Sequence, residues 1–421
     1  MIETKFKNTE IGMIPQDWDV KNIDKSCTIK ARIGWQGLTT AEYLSNGDYI
    51  LITGTDFENG FINWKSCSFV SKWRFEQDKN IQIKEGDILI SKDGTIGKVA
   101  FLNKIPKQGT LNSGIFVVRP LESGINQTYL SLVFKSLWFK DFIDKLTAGS
   151  TIVHLYQKDF VKFHFPLPPT LAEQNRIATA LSDIDSLIDS LGKLIQKKRN
   201  IKQGAMQELL TGRKRLKGFT KPWVEKTLGD VCSLYGRIGF RGYTKADLVA
   251  KHQGAITFSP SDINEQVLYY DNCDYISLAK YEESPEIKVY NGDIIFCKTA
   301  SIGKCAIVKN LQEKATINPQ FVVLKNFKCD NNFLYYILAF SDFQERVKSI
   351  TGGSTILTMS QEKLKAQKIL MPSTLEEQNA IARILSDMDN EIEALEAKQE
   401  KYKSIKEGMM QELLSGRIRL V

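Results

Sequence analysis

Two glycine-broken loops carry side chains that are suited to binding a charged ligand. They read IGWQGLTTAE (33–42) and IGFRGYTKAD (238–247), and an arginine precedes each of them. Arginine and lysine neutralise phosphates, while arginine and glutamine also hydrogen-bond to base edges in the major groove of DNA. Loops carry recognition and tolerate variation. The chemistry that these residues offer is therefore the binding of a polyanion.

A second matched pair of segments adds lysines around a turn. EGDILISKDGTIGKVA (85–100) resembles NGDIIFCKTASIGKCA (291–306), and AGSTI (148–152) resembles GGSTI (352–356). Any one of these residues by itself fits a solvated surface charge, but recurrence at matched places favours function for the set. The predicted DNA-contacting residues are Arg32, Trp35, Gln36, Thr39, Lys92, Lys98, Thr151, Arg237, Phe240, Arg241, Thr244, Lys298, Lys304 and Thr355.

Patterns typical of catalysis are missing from the sequence. GTIGK (94–98) does not meet the spacing of a phosphate-binding loop, and a turn between two strands explains it better. NPQF (318–321) resembles the NPPF-type motif of adenine methyltransferases but has lost one proline, and no signature for the methyl donor accompanies it. The three histidines do not have the spacing of metal ligands. We therefore predict no catalytic residue, no metal and no cofactor.

Composition indicates a globular intracellular protein. The net charge of +8 permits a polyanionic partner, and no apolar run approaches the length of a membrane span. The seven cysteines form no CxxC pair, as expected of reduced thiols in the cytoplasm. We predict a cytoplasmic protein of two or three domains, because 421 residues exceed one ordinary core.

The chain is a tandem duplication. Shifted by 204 positions, residues 170–216 fall on residues 374–420 with 26 of 47 positions identical, so TLAEQNRIATALSDID meets TLEEQNAIARILSDMD and MQELLTGRKRL meets MQELLSGRIRL. Upstream of these segments the two copies are less similar, but the matching segments follow one another in the same order. The chain therefore alternates a variable unit with a constant segment, twice.

Each constant segment predicts a long helix with an apolar seam. The seam residues, spaced by three and four, are Ile177, Leu181, Ile184, Ile188 and Leu191 in the first copy and Ile381, Leu385, Met388, Ile392 and Leu395 in the second. Gly212 and Gly416 stand where a left-handed residue ends a helix. We expect helices of about 37 residues, close to 55 Å, paired antiparallel with each other.

The variable units predict α/β domains that flank these helices. GDILIS, GDIIFC, GIFVVRP and QFVVLK read as strands, and residues 126–146 and 331–350 read as helices closed by Gly149 and by Gly352 and Gly353. The predicted fold class is α/β (α+β): two globular domains, 1–165 and 218–369, and two constant helices, 166–217 and 370–421. A coiled-coil interaction scaffold with two adaptor domains and no DNA remains the alternative.

The arrangement resembles the specificity (S) subunit of type I restriction–modification systems. PLPPTLAEQNRIATALSDID with MQELLTGRKRL, and MPSTLEEQNAIARILSDMD with MQELLSGRIRL, carry the resemblance, in the family order of target-recognition domain and conserved helix. The resemblance implies a non-catalytic chain that recognises a bipartite, asymmetric DNA sequence, with a spacer set by the helices.

Partner subunits also follow from the resemblance. Two modification subunits, which carry S-adenosylmethionine and the methyltransferase site, would dock on the helices, and two restriction subunits, ATP-dependent translocases with a nuclease, would complete the enzyme. The helix ends resemble regions that contact other subunits. The predicted contact residues, facing the partner helix or the modification subunit, are Met206, Leu209, Leu210, Met410, Leu413 and Leu414.

Overall fold

The structure, a computed structural model, describes residues 5–148, 154–350 and 358–421, with the backbone only at Trp35 and Phe240. The chain divides into two compact units. Unit 1 comprises Met1–Gly192 with Lys398–Val421, and unit 2 comprises Lys193–Ala397. Each unit therefore combines one variable segment with parts of both constant helices. Within the described residues, no helix has the length and apolar character needed to span a membrane.

Unit 1 is built from short strands and helices. Its strands are β1 (Phe6–Thr9), β2 (Gly12–Pro15), β3 (Asp19–Asn22), β4 (Cys27–Lys30), β5 (Tyr49–Ile52), β6 (Phe57–Glu58), β7 (Phe61–Ile62), β8 (Ser68–Val70), β9 (Ile88–Ser91), β10 (Val99–Phe101), β11 (Gly109–Leu111), β12 (Ile115–Pro120) and β13 (His164–Leu167). Its helices are α1 (Ile23–Ser26), α2 (Lys72–Glu76), α3 (Gln127–Val133), α4 (Leu137–Thr147), α5 (Gln157–Phe160) and the first part of α6 (Leu171–Leu209).

Two sheets and three strand pairs, β1-β2, β6-β7 and β3-β13, organise the described part of unit 1. An antiparallel sheet has the order β10-β9-β12-β4, and a second sheet has the order β11-β5-β8 with β11 parallel to β5. All four residues of β9 are buried, as expected for a run of branched apolar side chains inside a domain. Strand β3 pairs with β13, so the beginning and the end of the variable segment meet just before α6.

Unit 2 repeats this plan. Its strands are β14 (Trp223–Thr227), β15 (Ser233–Gly236), β16 (Leu248–Val249), β17 (Ala255–Phe258), β18 (Ile263–Asn264), β19 (Val267–Leu268), β20 (Asp274–Ile276), β21 (Ile294–Cys297), β22 (Cys305–Ile307), β23 (Ala315–Ile317), β24 (Phe321–Lys325) and β25 (Lys368–Pro372). Its helices are α7 (Leu228–Val231), α8 (Leu278–Glu282), α9 (Asn331–Ala339), α10 (Ser341–Ile350), α11 (Gln361–Lys365) and the first part of α12 (Leu375–Leu414). The sheets are β15-β24-β21-β22 and β16-β20-β17-β23.

The helical segments predicted at 126–146 and 331–350 are each two helices, so the prediction of single helices is wrong. Matched caps start the first of each pair, because the side chains of Asn126 and Asp330 each accept the backbone N–H three residues later, at 2.7 Å. The breaks follow at Phe134 and Phe340, whose side chains are buried. The backbone is extended at Ser136 and at Phe340, immediately before the second helix of each pair begins. Gly149, Gly352 and Gly353 lie outside the described residues.

The constant segments form the predicted long helices, α6 with 39 residues and α12 with 40. Gly212 and Gly416, just beyond them, have φ of +70° and +69°, the left-handed conformation that the sequence predicted. The helices pair antiparallel, because Asp185 of α6 binds Lys406 of α12 in unit 1 while Lys202 of α6 binds Asp389 of α12 in unit 2. The two ion pairs are related by the same shift of 204 positions that relates the repeats.

Apolar seams join the helices to the domains as well as to each other. In unit 1, Ile177 and Leu181 are buried in one core with Leu413 and Leu414 and with the aromatic side chains of α3 to α5. The unit 2 counterparts Ile381 and Leu385 share a core with Leu209 and Leu210, and Met388 packs against it. Further along the helices, Ile184, Leu191 and Ile392 are buried, and Ile188 and Leu395 are half-buried.

Candidate nucleic-acid interface

One edge of the antiparallel sheet in unit 1 gathers most of the predicted binding segments. Strands β4 and β9 end at this edge and β12 begins there, because β12 is antiparallel to both. Residues 31–39 and 92–98 therefore leave the same edge. The backbone N–H of Lys92 donates to Gly114 O at 2.8 Å, so residues 112–114 are at this edge too. The fold brings together segments that lie some 60 residues apart in sequence.

Unit 2 presents the equivalent edge. Strands β15 and β21 end where β24 begins. Residues 237–244 and 298–304 therefore lie beside residues 318–320, and the backbone N–H of Lys298 donates to Gln320 O at 2.8 Å. Each unit thus carries one composite edge of three loops, which we call the recognition edge.

The arginine that precedes each glycine loop is buried. Arg32 is 2% exposed and donates from Nε to Leu111 O at 2.9 Å and from Nη2 to Thr110 Oγ1 at 3.1 Å. Arg237 is 7% exposed and donates from Nη2 to Ile317 O at 3.1 Å and to Thr316 Oγ1 at 3.4 Å. Burial lowers the pKa of both guanidinium groups.

In the structure these two arginines therefore support the glycine loops from inside their domains. The sequence predicted them in contact with DNA, but in this conformation neither faces solvent. These arginines are buried because the planar guanidinium group carries several N–H donors. They pair with carbonyl and hydroxyl oxygens at the end of a strand, which would otherwise be acceptors without a partner. Each guanidinium group ties its glycine loop to the end of the neighbouring strand, β11 in unit 1 and β23 in unit 2.

The central residues of the two loops have different surroundings. Gln36 is 7% exposed, and its Oε1 has no hydrogen-bond partner among the residues that the structure describes. Arg241, at the equivalent place in unit 2, is partly exposed and lies 3.7 Å from Glu286. The side chains of Trp35 and Phe240 are not described. At this position unit 1 has a buried amide group and unit 2 has a partly exposed guanidinium group, in loops that follow equivalent strands.

Thr39 and Thr244 are exposed and close equivalent turns. Each is the N-terminal cap of a 3-10 helix and pairs reciprocally with an acidic residue three positions later, Glu42 or Asp247. The side-chain hydrogen bond from Arg74, helped by the backbone of Thr39, lowers the pKa of Glu42 to about 2. Both hydroxyls thus have a structural partner.

The four predicted lysines do not share one environment. Lys98 is exposed, and the half-buried Lys92 places its Nζ 5.2 Å from the ring centre of Phe116. Lys298 is also half-buried. Lys304 differs, because its Nζ donates to Pro260 O at 2.8 Å and to Ile263 O at 2.9 Å. Its ammonium group is held by the protein backbone, whereas the side chain of Lys98 is exposed. Thr151 and Thr355 lie outside the described residues.

Two matched turns that carry hydroxyl groups also lie at the recognition edge, and the sequence analysis did not predict them. Thr53–Asp56 follows β5, and Ser259–Asp262 follows β17. The buried Asp56 accepts from the backbone N and Oγ1 of Thr53, both at 2.8 Å, and leaves Thr55 exposed. The backbone N–H of Asn112 donates to Ile52 O at 3.0 Å, which places the turn beside the other loops. The matched spacing TGTD and SPSD, one in each half, is the signal that could have found it.

Comparisons with known proteins assign the chain to a family. Residues 15–200 and 220–403 match the family described as "Type I restriction modification DNA specificity domain". The chain belongs to this type I restriction–modification DNA specificity family. It is 27% identical to the type I restriction enzyme MjaVIII specificity subunit of Methanocaldococcus jannaschii, over 99% of this chain and 97% of that protein. It is 22% identical to the EcoKI specificity subunit of Escherichia coli K12, over 89% and 82%.

Solved structures share the fold. The crystal structure of a type I restriction–modification S subunit from M. genitalium superposes with a TM-score of 0.59 at 17% identity, covering 94% of this chain and 96% of that one. A second structure, described as the structural basis of complex assembly and conformational transition of the type I system, gives a TM-score of 0.54 at 16% identity, over 96% and 99% of the two chains. These structures confirm the fold, and the family match confirms the resemblance inferred from the repeats: this is a specificity subunit, the non-catalytic component, with two target-recognition domains.

The helix ends of this specificity subunit face inward. Leu209 and Leu210, and in the other copy Leu413 and Leu414, are at most 6% exposed within the cores of their own units. Met206 and Met410 are half-buried against the same cores. The four leucines therefore face the partner helix, the first of the two predicted alternatives, and a contact of these residues with the modification subunit stays a prediction. They complete the hydrophobic core beneath the start of the opposite helix.

The tails beyond the helices bind the start of the opposite helix. Arg215 donates from Nε and Nη2 to the two carboxylate oxygens of Glu377, at 2.6 and 2.8 Å. Trp223 Nε1 also donates to Glu377, at 3.3 Å. Glu377 is 1% exposed, so Arg215 provides the hydrogen bonds and the counter-charge that a buried carboxylate needs.

Unit 1 contains the same arrangement with one addition. Arg419 binds both carboxylate oxygens of Glu173 and also Asp17, at 2.9 Å to each of its oxygens. These contacts raise the pKa of Arg419 and lower the pKa of Asp17. Arg215 of GRKRL and Arg419 of GRIRL therefore each link the tail of one constant helix to the start of the other helix within the same unit.

Proposed function

We propose that this specificity subunit recognises a bipartite, asymmetric DNA sequence in which each target-recognition domain reads one half. The observation that carries the proposal is the matched pair of recognition edges, built on the same strand ends but lined by different side chains. Equal scaffolds with unequal loops suit two unlike half-sites. Base edges in the major groove are distinguished by the arrangement of hydrogen-bond donors and acceptors, so a change of loop residues changes the sequence read.

The proposed DNA contacts follow the placement of the residues. Lys98 and Lys92 in unit 1 and Lys298 in unit 2 would approach phosphates, and Arg241 would act nearer the bases. Trp35, Thr39, Phe240, Thr244, Thr151 and Thr355 belong to the same proposed surfaces. Arg32, Arg237 and Lys304 would contribute by holding the loops and turns in position.

The paired helices would set the distance between the two half-sites. A pair of helices about 55 Å long suits domains placed one or more turns of DNA apart, since equivalent sites on one face recur about every 34 Å. The proposed boundaries remain 1–165 and 218–369 for the recognition domains and 166–217 and 370–421 for the helices. Two modification and two restriction subunits would assemble on this chain in the cytoplasm.

Single-molecule sequencing of DNA from cells that express this chain with its modification subunit tests the proposal. We expect N6-methyladenine at one split, asymmetric motif, with the methylation lost when the gene for this chain is deleted. If the modification subunit is present and active but methylates no such motif, the bipartite reading is wrong. DNA affinity that does not change with salt would also contradict it, because phosphate contacts make affinity fall steeply as salt rises.

A further inference from the structure

The partly exposed Arg241, at the recognition edge of unit 2, has an acidic neighbour from a later part of the chain. Arg241 is the last residue of the 3-10 helix Gly239–Arg241, and its Nη1 lies 3.7 Å from Oε2 of Glu286. Glu286 is the middle residue of another 3-10 helix, Pro285–Ile287. The fold therefore brings a guanidinium group and a carboxylate together at the edge that we propose to face DNA.

One hydrogen-bonded network joins the two 3-10 helices. The buried Arg237 donates from Nη1 to Arg241 O at 3.3 Å and from Nη2 to Thr316 Oγ1 at 3.4 Å. Thr316 donates in turn from Oγ1 to Ile287 O at 3.2 Å, next to Glu286. Thr316 is 1% exposed and Ile287 is fully buried. The relative placement of Arg241 and Glu286 is therefore set by contacts inside the unit.

The carboxylate of Glu286 needs a cation beside it. Its Oε1 is buried and has no hydrogen-bond partner among the residues that the structure describes. A buried carboxylate oxygen without a hydrogen bond is costly unless positive charge lies near it. The nearby cations are the buried Arg237 and the partly exposed Arg241. The carboxylate therefore restricts the guanidinium group of Arg241 to a small range of positions.

Unit 1 has different residues at both of these places. Gln36 ends the 3-10 helix Gly34–Gln36, as Arg241 ends its own, and Asn80 is the middle residue of the 3-10 helix Lys79–Ile81, as Glu286 is of its own. Unit 2 thus has a cation and an anion where unit 1 has two neutral amides. The two positions differ together, as expected if the carboxylate acts on the arginine.

A carboxylate beside an arginine changes which ligand that arginine prefers. The charge of Glu286 offsets that of Arg241 and repels a phosphate, so the pair is a poor contact for the DNA backbone. The neutral edge of a base is not repelled in this way. A planar guanidinium group donates two hydrogen bonds to the O6 and N7 acceptors that guanine presents in the major groove. Guanine is therefore the ligand that fits a guanidinium group held by a carboxylate.

We propose that Arg241 reads a guanine in the half-site of unit 2, and that Glu286 is the positioning residue that orients its guanidinium group and keeps it from phosphates. The proposal rests on the function proposed above and names one base of the target. Two cations of the same recognition edge then have different roles. Lys298 binds a phosphate, which carries no sequence information, and Arg241 binds a base, which does.

Substitution of Arg241 by the residue found in unit 1 tests the base contact. The motif methylated by the complex that contains Arg241→Gln is determined by single-molecule sequencing. We expect one guanine of the unit 2 half-site to lose its preference by about 10- to 100-fold and adenine to be accepted there, because glutamine pairs with adenine. The other half-site and the melting temperature should not change.

Lys245→Gln is the matched control for the loss of one positive charge, because Lys245 is exposed and follows the same loop. It should leave the methylated motif unaltered. An unaltered motif with Arg241→Gln, or a change in both half-sites, would overturn the proposal. It is also overturned if Arg241→Gln weakens binding to every DNA sequence equally and lowers the salt slope by about one unit, since that behaviour marks a phosphate contact.

DNA with 7-deazaguanine at the same position tests the contact from the side of the base, because this analogue lacks the N7 acceptor. Fluorescence anisotropy measures its affinity. We expect the unaltered complex to bind it about 10-fold more weakly than DNA with guanine, and the Arg241→Gln complex to bind both DNAs equally. An equal loss in the two complexes would assign the guanine to another residue. Equal binding of the two DNAs by the unaltered complex would overturn the proposal without any variant.

Glu286→Gln tests whether this residue orients Arg241 or merely supports the fold. We expect the variant complex to bind non-specific DNA about 3- to 10-fold more tightly and to discriminate guanine from the other bases about 10-fold less well. A merely structural role would instead lower both affinities. Glu283→Gln is the matched control, because Glu283 pairs with Lys280 at 2.7 Å. Unchanged discrimination with Glu286→Gln, or an equal change with the control, would overturn the positioning role.

The unaltered complex separates this proposal from the proposed function. The half-site of unit 2 is the one that exchange of residues 21–165 leaves unchanged. A split methylated motif without a required guanine on either strand of that half-site removes the role of Arg241 and leaves the recognition function standing. Absence of any split motif with the fully assembled, active complex removes the recognition function itself, and this proposal with it.

Discussion

Arg419 and Glu173 stand 246 residues apart in the chain and form a two-pronged ion pair, Nε to Oε1 at 2.5 Å and Nη2 to Oε2 at 2.9 Å. The same contact joins Arg215 to Glu377 in unit 2. In each case the tail of one constant helix holds the first turn of the other. The last residues of the sequence are therefore part of the unit that contains the first ones.

Removing Arg419 should destabilise unit 1. Arg419→Ala leaves Glu173, whose side chain is 1% exposed, without its counter-charge, and we expect the free energy of unfolding to fall by roughly 3 kcal/mol. Denaturant unfolding followed by circular dichroism measures the loss. Arg417→Ala is the matched control, because that side chain is 62% exposed and its pair with Glu412 should contribute under about 1 kcal/mol. Equal effects of the two substitutions would contradict the assignment.

Lys98 and Lys304 occupy equivalent positions in sequence but should behave oppositely. Lys98→Ala should leave the melting temperature unchanged, weaken DNA binding and reduce the salt slope by about one unit, because it removes a phosphate contact. Adding Lys92→Ala should deepen the loss of affinity. Fluorescence anisotropy of the complex with its DNA over a salt series provides the measurement.

Lys304→Ala should instead lower stability. The substitution removes two charge-assisted hydrogen bonds to the carbonyls of Pro260 and Ile263, which we expect to cost about 2 kcal/mol. Differential scanning calorimetry measures the change in melting temperature. If Lys304→Ala unfolds at the same temperature as the unaltered chain while its salt slope falls, then this lysine contacts DNA and the structural role is wrong.

Exchange of one recognition domain should change one half of the target only. Replacing residues 21–165 with the equivalent segment of a relative joins the chains at Lys21 and Phe165, which are direct partners in the β3–β13 register. Because the two junctions lie at paired residues, the hybrid chain keeps the pairing of β3 with β13 in register. Sequencing of methylated DNA should then reveal a new first half and an unchanged second half. A change in both halves would refute the modular reading.

Shortening both helices equally should shorten the spacer. Removing seven residues within 186–200 and the matching seven within 390–404 preserves the Asp185–Lys406 and Lys202–Asp389 pairs at either side. The pair then loses about 10 Å, or close to three base pairs at about 3.4 Å each. The spacing of the methylated half-sites measures the effect. Deletion in one helix alone should disrupt the pairing, and an unaltered spacer after the double deletion would end the ruler hypothesis.

Much of the fold follows from local sequence. The 204-residue shift, the spacing of Ile177 with Leu181, and the glycines at 212 and 416 are readable without any tertiary information, because periodicity and helix ends depend on neighbouring residues. The turn at 92–98 between two strands follows in the same way, and the structure confirms it. The repeated motifs also led to the family, which the comparisons confirm.

Burial of particular polar and apolar groups was decided by the tertiary structure alone. In the sequence Arg32 resembles a surface cation, but it is buried and donates to Leu111 O at the end of β11. Lys304 resembles Lys98, but its ammonium group donates a hydrogen bond to the carbonyl of Pro260. Leu413 faces inward because the start of α6, more than 200 residues earlier, packs over it. The sequence by itself determined which elements form and that they form twice. The tertiary structure decided which side chains remain on the surface for DNA or another subunit, because that depends on contacts between residues far apart in the chain. The physical reason is that the burial of a residue is set by the neighbours packed around it and not by the residue itself.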